Sequence, residues 1–329
     1  MIEILSQTAL ATVQDLGRLG ALGFGVGTSG AMDDLALAAG NLLLGNDEAD
    51  AAVEIQVFPF ELRFQVACAF ALTGADCAAT LDGQPVMPWW SYQANEGQVL
   101  RLGPPVAGPG RISRAYLCTA GGIDVPAVLG SRSTQLRGAL GGYEGRSLRQ
   151  HDVVRVGQPG DRVRRVGFGL VPPAQVDPLL QDGVAGMRVM PAAEYDHYDE
   201  ASRAALWEQS WKITPQSDRY GYRLSGPKLS MTTPLELRSH GIVPGVIQVP
   251  HSGQPIVQMR DAQPSGGYPK IGTVIKADLW RLGQAPIGSM IRFIRCDWDD
   301  ALAAEQRNRT YLDNVRRLTA LYRSRPGLA

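Results

Sequence analysis

The chain reads as a mainly β protein with a few helices, divided into two β-rich parts. Three observations carry that expectation. Short segments with period-two apolar alternation recur along both halves, which is the mark of half-buried strands. Turn-forming residues bound those segments throughout, with 38 Gly and 22 Pro in the chain. The length of 329 residues also exceeds what one ordinary core covers, so two cores are expected.

In the first half the strand-like segments are Glu61–Val66, Phe70–Thr73, Val99–Leu102, Ala115–Cys118 and Val153–Val156. One helix is expected over residues 33–44. Asp33 or Asp34 is placed to cap it, Leu35, Ala38, Ala39 and Leu42 recur at helical spacing, and Gly45-Asn46 ends it. Residues 157–186 are rich in Pro, Gly and charge and show no sustained period beyond a short helical turn near Leu179, so a boundary falls there. Beyond it the strand pattern resumes at Met187–Met190, Gly221–Leu224, Val246–Val249, Pro255–Gln258 and Met290–Ile294. A turn or two of helix fits around Glu200–Glu208, and a charged helix with a partial apolar stripe closes the chain from Asp297 to Arg323. The expected divisions are therefore residues 1–158, a linker over 159–185, a second β unit over 186–296 and a terminal helix over 297–329.

Composition excludes several function classes. Lys plus Arg and Asp plus Glu both number 32, so no broad field for nucleic acid or an anionic membrane is expected. The start, Met1–Ser6, lacks a basic and then apolar leader, and no apolar run is long enough to cross a bilayer, which reads as a cytosolic protein. Cys68, Cys77, Cys118 and Cys296 lack C-x-x-C spacing and read as reduced thiols, and the four scattered histidines form no ligand pattern, so no metal site is expected.

Two motifs mislead. Gly25-Val26-Gly27-Thr28-Ser29-Gly30 matches G-x-G-x-x-G, yet no buried parallel strand precedes it and no βαβ units follow. Ser225-Gly226-Pro227-Lys228 spells S-x-x-K, but Gly-Pro precludes the helix that would align Ser with Lys.

The informative stretch is Val257–Pro269, where an apolar run breaks into Asp261, Gln263 and Ser265 followed by Gly266-Gly267 and Tyr268-Pro269. A strand is expected to end there in a shaped loop, the glycines taking φ > 0 or letting backbone approach a ligand, with the polar groups free. Asn41, at the edge of a buried helical stripe, needs its amide satisfied or facing a cavity. Glu54, amid apolar strand residues, needs a partner, and Arg18 is one candidate. The loops Gly121–Pro126 and Gly130–Thr134 surround Arg132 with the hydroxyls of Ser131, Ser133 and Thr134, an arrangement suited to an anion.

The motifs Thr12-Val13-Gln14-Asp15-x-Gly17-Arg18, Ser29–Asp33, Asn41-Leu42-Leu43-x-Gly45-Asn46, Gly130–Thr134, Asp218-Arg219-x-Gly221-Tyr222-Arg223-Leu224, Pro244–Pro250 and Asp261-x-Gln263-x-x-Gly266-Gly267-Tyr268-Pro269 occur in this order. Jointly the chain resembles the biotin-dependent carboxyltransferase family, which includes the C subunits of 5-oxoprolinases and the carboxyltransferase domain of urea carboxylase. The resemblance implies two linked cyclophilin-like β-barrel domains. It also implies direct pairing with the B subunit of a 5-oxoprolinase, a further A subunit, and ATP with Mg²⁺ driving the opening of 5-oxoproline to glutamate. No Ala-Met-Lys-Met carrier sequence is present, so no covalent biotin is expected on this chain. On this reading Asp261 and Asn41 are catalytic: Asp261 accepts the ring N–H, while Asn41 or Gln248 orients the carbonyl oxygen. Arg18, Arg132 or Arg219 takes the anion, Glu54, Gln263 and Tyr268 surround the substrate, and Gly266, Gly267, Ser131 and Thr134 shape the loops. The alternatives are a biotin-dependent carboxyltransferase component that works on a urea-like amide, or a non-catalytic partner that sequesters a companion resembling the B subunit.

Overall fold

A computed structural model describes residues 1–7, 10–106, 112–158, 165–233, 235 and 237–324. In the first half the elements are β1 (Ile2–Ile4), β2 (Ala11–Gln14), α1 (Asp34–Leu44), β3 (Ala52–Ile55), β4 (Phe60–Phe64), β5 (Cys68–Gly74), β6 (Ala79–Leu81), β7 (Gln84–Val86), β8 (Trp90–Ala94), β9 (Val99–Leu102), β10 (Ala115–Thr119) and β11 (Val153–Val154). They form two sheets, ordered β11-β1-β4-β9-β6-β7 and β2-β3-β10-β5-β8. Ile4, Val53, Phe60, Phe64, Phe70 and Leu117 meet in the apolar cluster the sheets enclose. Burying each such side chain contributes about 1.5–3 kcal/mol.

The second sheet is covered on both faces, which is why β10 is buried at all five positions. Ala115 and Leu117 face the inner cluster, whereas Tyr116 and Cys118 face α1. Asp33 caps α1, its carboxylate accepting the Ala36 N–H at 2.8 Å. The helix differs from the one-sided helix expected from its stripe, because every residue from Leu35 to Leu44 is buried. Sheet lies on one side and the long C-terminal helix on the other, whose Arg323 donates to the Leu42 and Leu43 carbonyls at the end of α1.

Of the segment read as a linker, residues 159–164 lie outside the described ones. Phe168 and Leu170 pack on the apolar cluster around α1. The helical turn placed near Leu179 is instead α2 (Pro173–Val176), and Leu180–Gln181 is a short strand, β12. A Pro at the first helical position, where its missing N–H costs nothing, explains the shift.

The second half contains β13 (Val184–Pro191), α3 (Glu200–Glu208), β14 (Ser210–Ile213), β15 (Gly221–Ser225), β16 (His240–Gly241), β17 (Val246–Gln248), β18 (Ile256–Gln258), β19 (Ser265–Gly266), β20 (Lys270–Val274), α4 (Leu279–Gln284), β21 (Met290–Arg295) and α5 (Trp298–Ser324). The order β13-β20-β17-β18-β15-β14-β21 closes on itself through a parallel pairing of β13 with β21, giving a seven-stranded barrel. Closure removes the open sheet edges. Val189, Trp211, Tyr222, Ile247, Val257 and Phe293 fill its interior. All four cysteines are buried free thiols, and no described helix is long and apolar enough to cross a membrane.

The two halves meet through glycines. The G-x-G-x-x-G segment serves this contact: a Cβ on Gly27 would lie 2.7 Å from the Ala262 carbonyl oxygen, and the Ser29 N–H donates to Arg260 O at 2.9 Å. On α4, a Cβ at Gly283 would fall 2.3 Å from the Met32 carbonyl oxygen. Gly283→Ala gains about 1 kcal/mol of helix propensity but forces the halves apart, and a net destabilisation of about 1–3 kcal/mol is expected in urea unfolding. A variant as stable as the parent would contradict this account of the junction.

Candidate functional site at the domain junction

Glu54 lies on β3 between Val53 and Ile55, whose side chains enter the core, so its own projects from the opposite face beside its strand neighbours Thr12 and Tyr116. Arg219 comes from the barrel half, in a turn held by Asp218, whose Oδ1 accepts the N–H groups of Tyr220 (2.8 Å) and Gly221 (3.2 Å). Asp261 sits in the loop after β18, its N–H donating to Arg219 O at 2.8 Å.

These three side chains converge across the junction. Arg219 donates Nη1 to Glu54 Oε1 at 2.7 Å, Nε and Nη2 to Asp261 at 2.9 and 3.1 Å, and Nη2 also to Gly30 O at 2.6 Å. Glu54 accepts in addition the Met32 N–H and the Tyr116 hydroxyl, both at 2.8 Å. A second guanidinium, Arg114, stands 3.7 Å from Glu54 and donates to the Tyr222 hydroxyl at 3.0 Å and to the Gly283 carbonyl. Gln284 joins the halves again: its Oε1 accepts the Arg114 N–H at 2.8 Å and its Nε2 donates to Asp33 Oδ2 at 2.9 Å.

Glu54 and Asp261 are therefore matched by Arg114 and Arg219. Burial pushes the Glu54 carboxyl up, but Arg219, Arg114 and the two hydrogen bonds outweigh it and hold the pKa below its ordinary value. Burial likewise opposes charge on Arg219, and Asp261 and Glu54 overcome it and raise its pKa. Asp33 lacks a cationic partner among the described residues. Burial raises its carboxyl to about 7, despite the hydrogen bonds from Ala36 and Gln284.

In front of this cluster lies a cleft of about 1410 Å³. Of the residues singled out in the sequence, Arg219, Gln248, Asp261, Gln263 and Tyr268 line it. Asp261 is not the free group expected at a strand end, because Arg219 grips both of its oxygens. Gln248 accepts from Gln258 Nε2 at 3.0 Å, while its own Nε2 is buried with no acceptor among the described residues. Gly266 lies directly over that amide, since a Cβ there would sit 2.5 Å from Nε2. Neither Gly266 nor Gly267 uses a left-handed backbone; close packing is the reason for glycine at 266.

Other expectations are corrected. Asn41 is not brought to the cleft: its Nδ2 donates to Asp50 O at 2.7 Å and Glu48 O at 3.3 Å, and its Oδ1 accepts from Asn46. It braces the turn after α1. Arg18 does not pair with Glu54 but donates to the Val128 and Ser133 carbonyls. The 130–134 loop does surround an anion, but the anion is internal. Asp15 accepts the Ser131 hydroxyl at 2.7 Å, the Ser133 hydroxyl at 2.5 Å and the Arg132 N–H at 2.6 Å. Thr134 donates to Val13 O, and the Arg132 side chain donates Nε to Val125 O and lines a different surface.

Sequence reasoning missed Arg114, Tyr116 and Gln284 as members of this cluster, and Arg137 and Tyr220 on the cleft wall. Tyr116 was detectable in principle, since it occupies the same face of its strand as Glu54 occupies on the neighbouring one. Nothing local marks Arg114.

A family model described as the carboxyltransferase domain, subdomain A and B, matches residues 24–295. The C subunit of 5-oxoprolinase from Escherichia coli (strain K12) is 41% identical over 321 residues, covering 96% of this chain and 97% of that one. Its counterpart in Haemophilus influenzae is 42% identical over 318 residues, covering 97% and 98%. Among solved structures, the K. lactis urea amidolyase superposes with a TM-score of 0.85 at 28% identity, over 95% of this chain and 20% of that one.

Two outcomes follow from the cluster. Arg219→Met leaves Glu54 and Asp261 buried without their shared partner, and a loss of about 3–5 kcal/mol is expected in urea unfolding at neutral pH; a loss below about 1 kcal/mol, the range of exposed pairs, would refute the role given to it. Asp33, raised from 3.8 to about 7, binds its proton more tightly folded than unfolded. Its contribution is full below the unfolded value and lost as pH rises through the folded one. The stability of the parent relative to Asp33→Asn is therefore expected to decline between about pH 4 and about pH 7. A difference independent of pH in urea titrations across that window would contradict it.

Proposed function

From its membership of the carboxyltransferase domain, subdomain A and B, family, to which this chain belongs, we propose that it acts as the C subunit of an ATP-dependent 5-oxoprolinase. It would work with the A and B subunits to activate the lactam of 5-oxoproline and open it to L-glutamate. The observation that carries this reading is the pairing, in one cleft, of the Gln248 donor that lacks an acceptor with the Asp261 carboxylate. A cyclic cis amide offers the complement, an N–H beside a C=O.

In this scheme Asp261 accepts the ring N–H. Arg219 holds that carboxylate in place, and a carboxylate oxygen gripped on one side retains a lone pair for the ligand. Gln248 donates to the carbonyl oxygen once the short strand β19, which carries Gly266, moves off its amide. Electron density drawn onto that oxygen favours its attack on the terminal phosphate of ATP, with ADP leaving, and the activated ring passes to the A subunit for hydrolysis. Positioning and charge stabilisation supply most of the acceleration in such a transfer. Mg²⁺ would travel on the nucleotide phosphates, and ATP is assigned to the B subunit or to its boundary with this chain. In urea amidolyase the matching unit is about a fifth of a longer chain, which supports action beside other domains. That same likeness favours a second reading, carboxyl transfer to a urea-like amide from a carrier on another protein.

Co-expression with the A and B subunits tests the proposal through glutamate release from 5-oxoproline, with and without ATP. ATP-dependent release requiring all three chains is expected. Gln248→Ala and Asp261→Asn should lower it by a factor of about 10² or more, while Asn41→Ala should retain turnover in whatever fraction folds. A stable complex without turnover would overturn the hydrolase reading in favour of carboxyl transfer, and full activity in both cleft variants would overturn the assignment of residues.

A further inference from the structure

The cations expected to meet an anion are already engaged. Arg219 is spent on Glu54, Asp261 and a carbonyl, Arg18 donates to carbonyl oxygens, and Arg132 lines another surface. Arg114 is held between Glu54, Tyr222 and Gly283. The cleft wall nevertheless carries Arg137, an exposed residue no motif singled out.

Arg137 belongs to a tight loop of the first half. Gln135 and Leu140 exchange backbone hydrogen bonds of 2.8 and 3.1 Å across it, and Gln135 Oε1 accepts the Gly138 N–H at 2.6 Å. The guanidinium carbon stands 5.0 Å from the ring centroid of Tyr220, a residue of the barrel half, and Gln135 Nε2 donates to the Tyr220 hydroxyl at 3.4 Å. A cation–π contact of this kind spends no N–H group on a hydrogen bond and leaves the guanidinium donors available. Among the described residues those groups have no hydrogen-bond acceptor and no carboxylate within ion-pair distance. Arg223 lines the same cleft, and its guanidinium also has no hydrogen-bond acceptor among the described residues. Of the two described carboxylates that line the cleft, Asp261 is gripped by Arg219, and Asp218 directs Oδ1 to the N–H groups of Tyr220 and Gly221.

We propose that Arg137, held over the ring of Tyr220, is the residue by which the cleft takes a ligand oxyanion, in bidentate fashion on its free N–H groups. Resting on the lactam reading above, that oxyanion is the carboxylate of 5-oxoproline; a phosphate would offer the same chemistry. The site then spans both halves, with the amide edge read at Gln248 and Asp261 on the barrel side and the carboxylate read by a group from the other half.

Calorimetric titration of the full chain, as parent, Arg137→Ala and Arg137→Lys, tests this with 5-oxoproline, with 2-pyrrolidinone, which is the same lactam without its carboxylate, and with inorganic phosphate. The parent is expected to prefer 5-oxoproline over 2-pyrrolidinone by about tenfold or more. Arg137→Ala should erase that preference with 2-pyrrolidinone affinity unchanged, and Arg137→Lys, which keeps the charge without the fork, should retain part of it. A preference that survives in Arg137→Ala overturns the assignment, as does a parent that binds none of the probes. A parent that takes phosphate but neither lactam, and loses phosphate in Arg137→Ala, supports the oxyanion site while removing the lactam reading.

Discussion

The guanidinium of Arg219 is the contact on which the rest of the molecule depends. It comes from the barrel half, and it satisfies a carboxylate from each half, Glu54 and Asp261, at hydrogen-bonding distance while it is itself 5% exposed. An isolated charge at such depth is too costly to persist, so Glu54 keeps its charge there only while the two halves are docked and Arg219 reaches it. Docking in turn demands close backbone approach, which accounts for glycine at 27 and 283, where a side chain would meet a carbonyl of the other half. Gln284 and Arg114 then extend the same cluster toward Asp33 at the start of α1.

That arrangement also decides where ligand chemistry can occur. Arginines and carboxylates at the back of the cleft neutralise one another, so they present a fixed, rigid wall rather than free charge. On the proposed reading Asp261 is useful because it is restrained: an acceptor whose position is held by Arg219 loses little freedom on meeting a ligand. Free donors flank this wall, in the amide of Gln248 beneath Gly266 and in the guanidinium of Arg137 above Tyr220. One edge belongs to the barrel and the other to the first half, and a single ligand touching both would favour the docked state.

Much of the architecture was legible because strands and helix caps are local. Alternation located β4, β5, β9, β10, β15 and β21 to within a few residues, and Asp33 and Gly45 bracket α1 through capping and a left-handed C-terminus. Short strands such as β6, β7 and β14 were not separated from turns, since three or four residues show too little alternation to be distinctive. At the site, Glu54 and Asp261 were visible as polar groups in apolar or turn-bounded surroundings, whereas Gln248 and Arg219 entered through the family resemblance. The same reasoning selected Asn41 and the hydroxyls at 131–134. A buried polar side chain reveals only that it needs partners, and here those partners are the chain's own carbonyls and Asp15.

The sequence by itself therefore determined the mainly β character, the division into two β-rich halves, the cap and end of α1, and the set of polar residues that require partners. Each of these follows from periodicity, turn chemistry or the cost of burying a polar group, which act within a few residues. Only the tertiary structure decided the partners: Glu54 with Arg219 rather than Arg18, 165 residues apart along the chain, Asn41 with the turn after its own helix, and Arg137 with Tyr220 across the junction. Long-range pairing is set by which faces the two packed halves bring together, and that geometry leaves no local trace in the order of the residues.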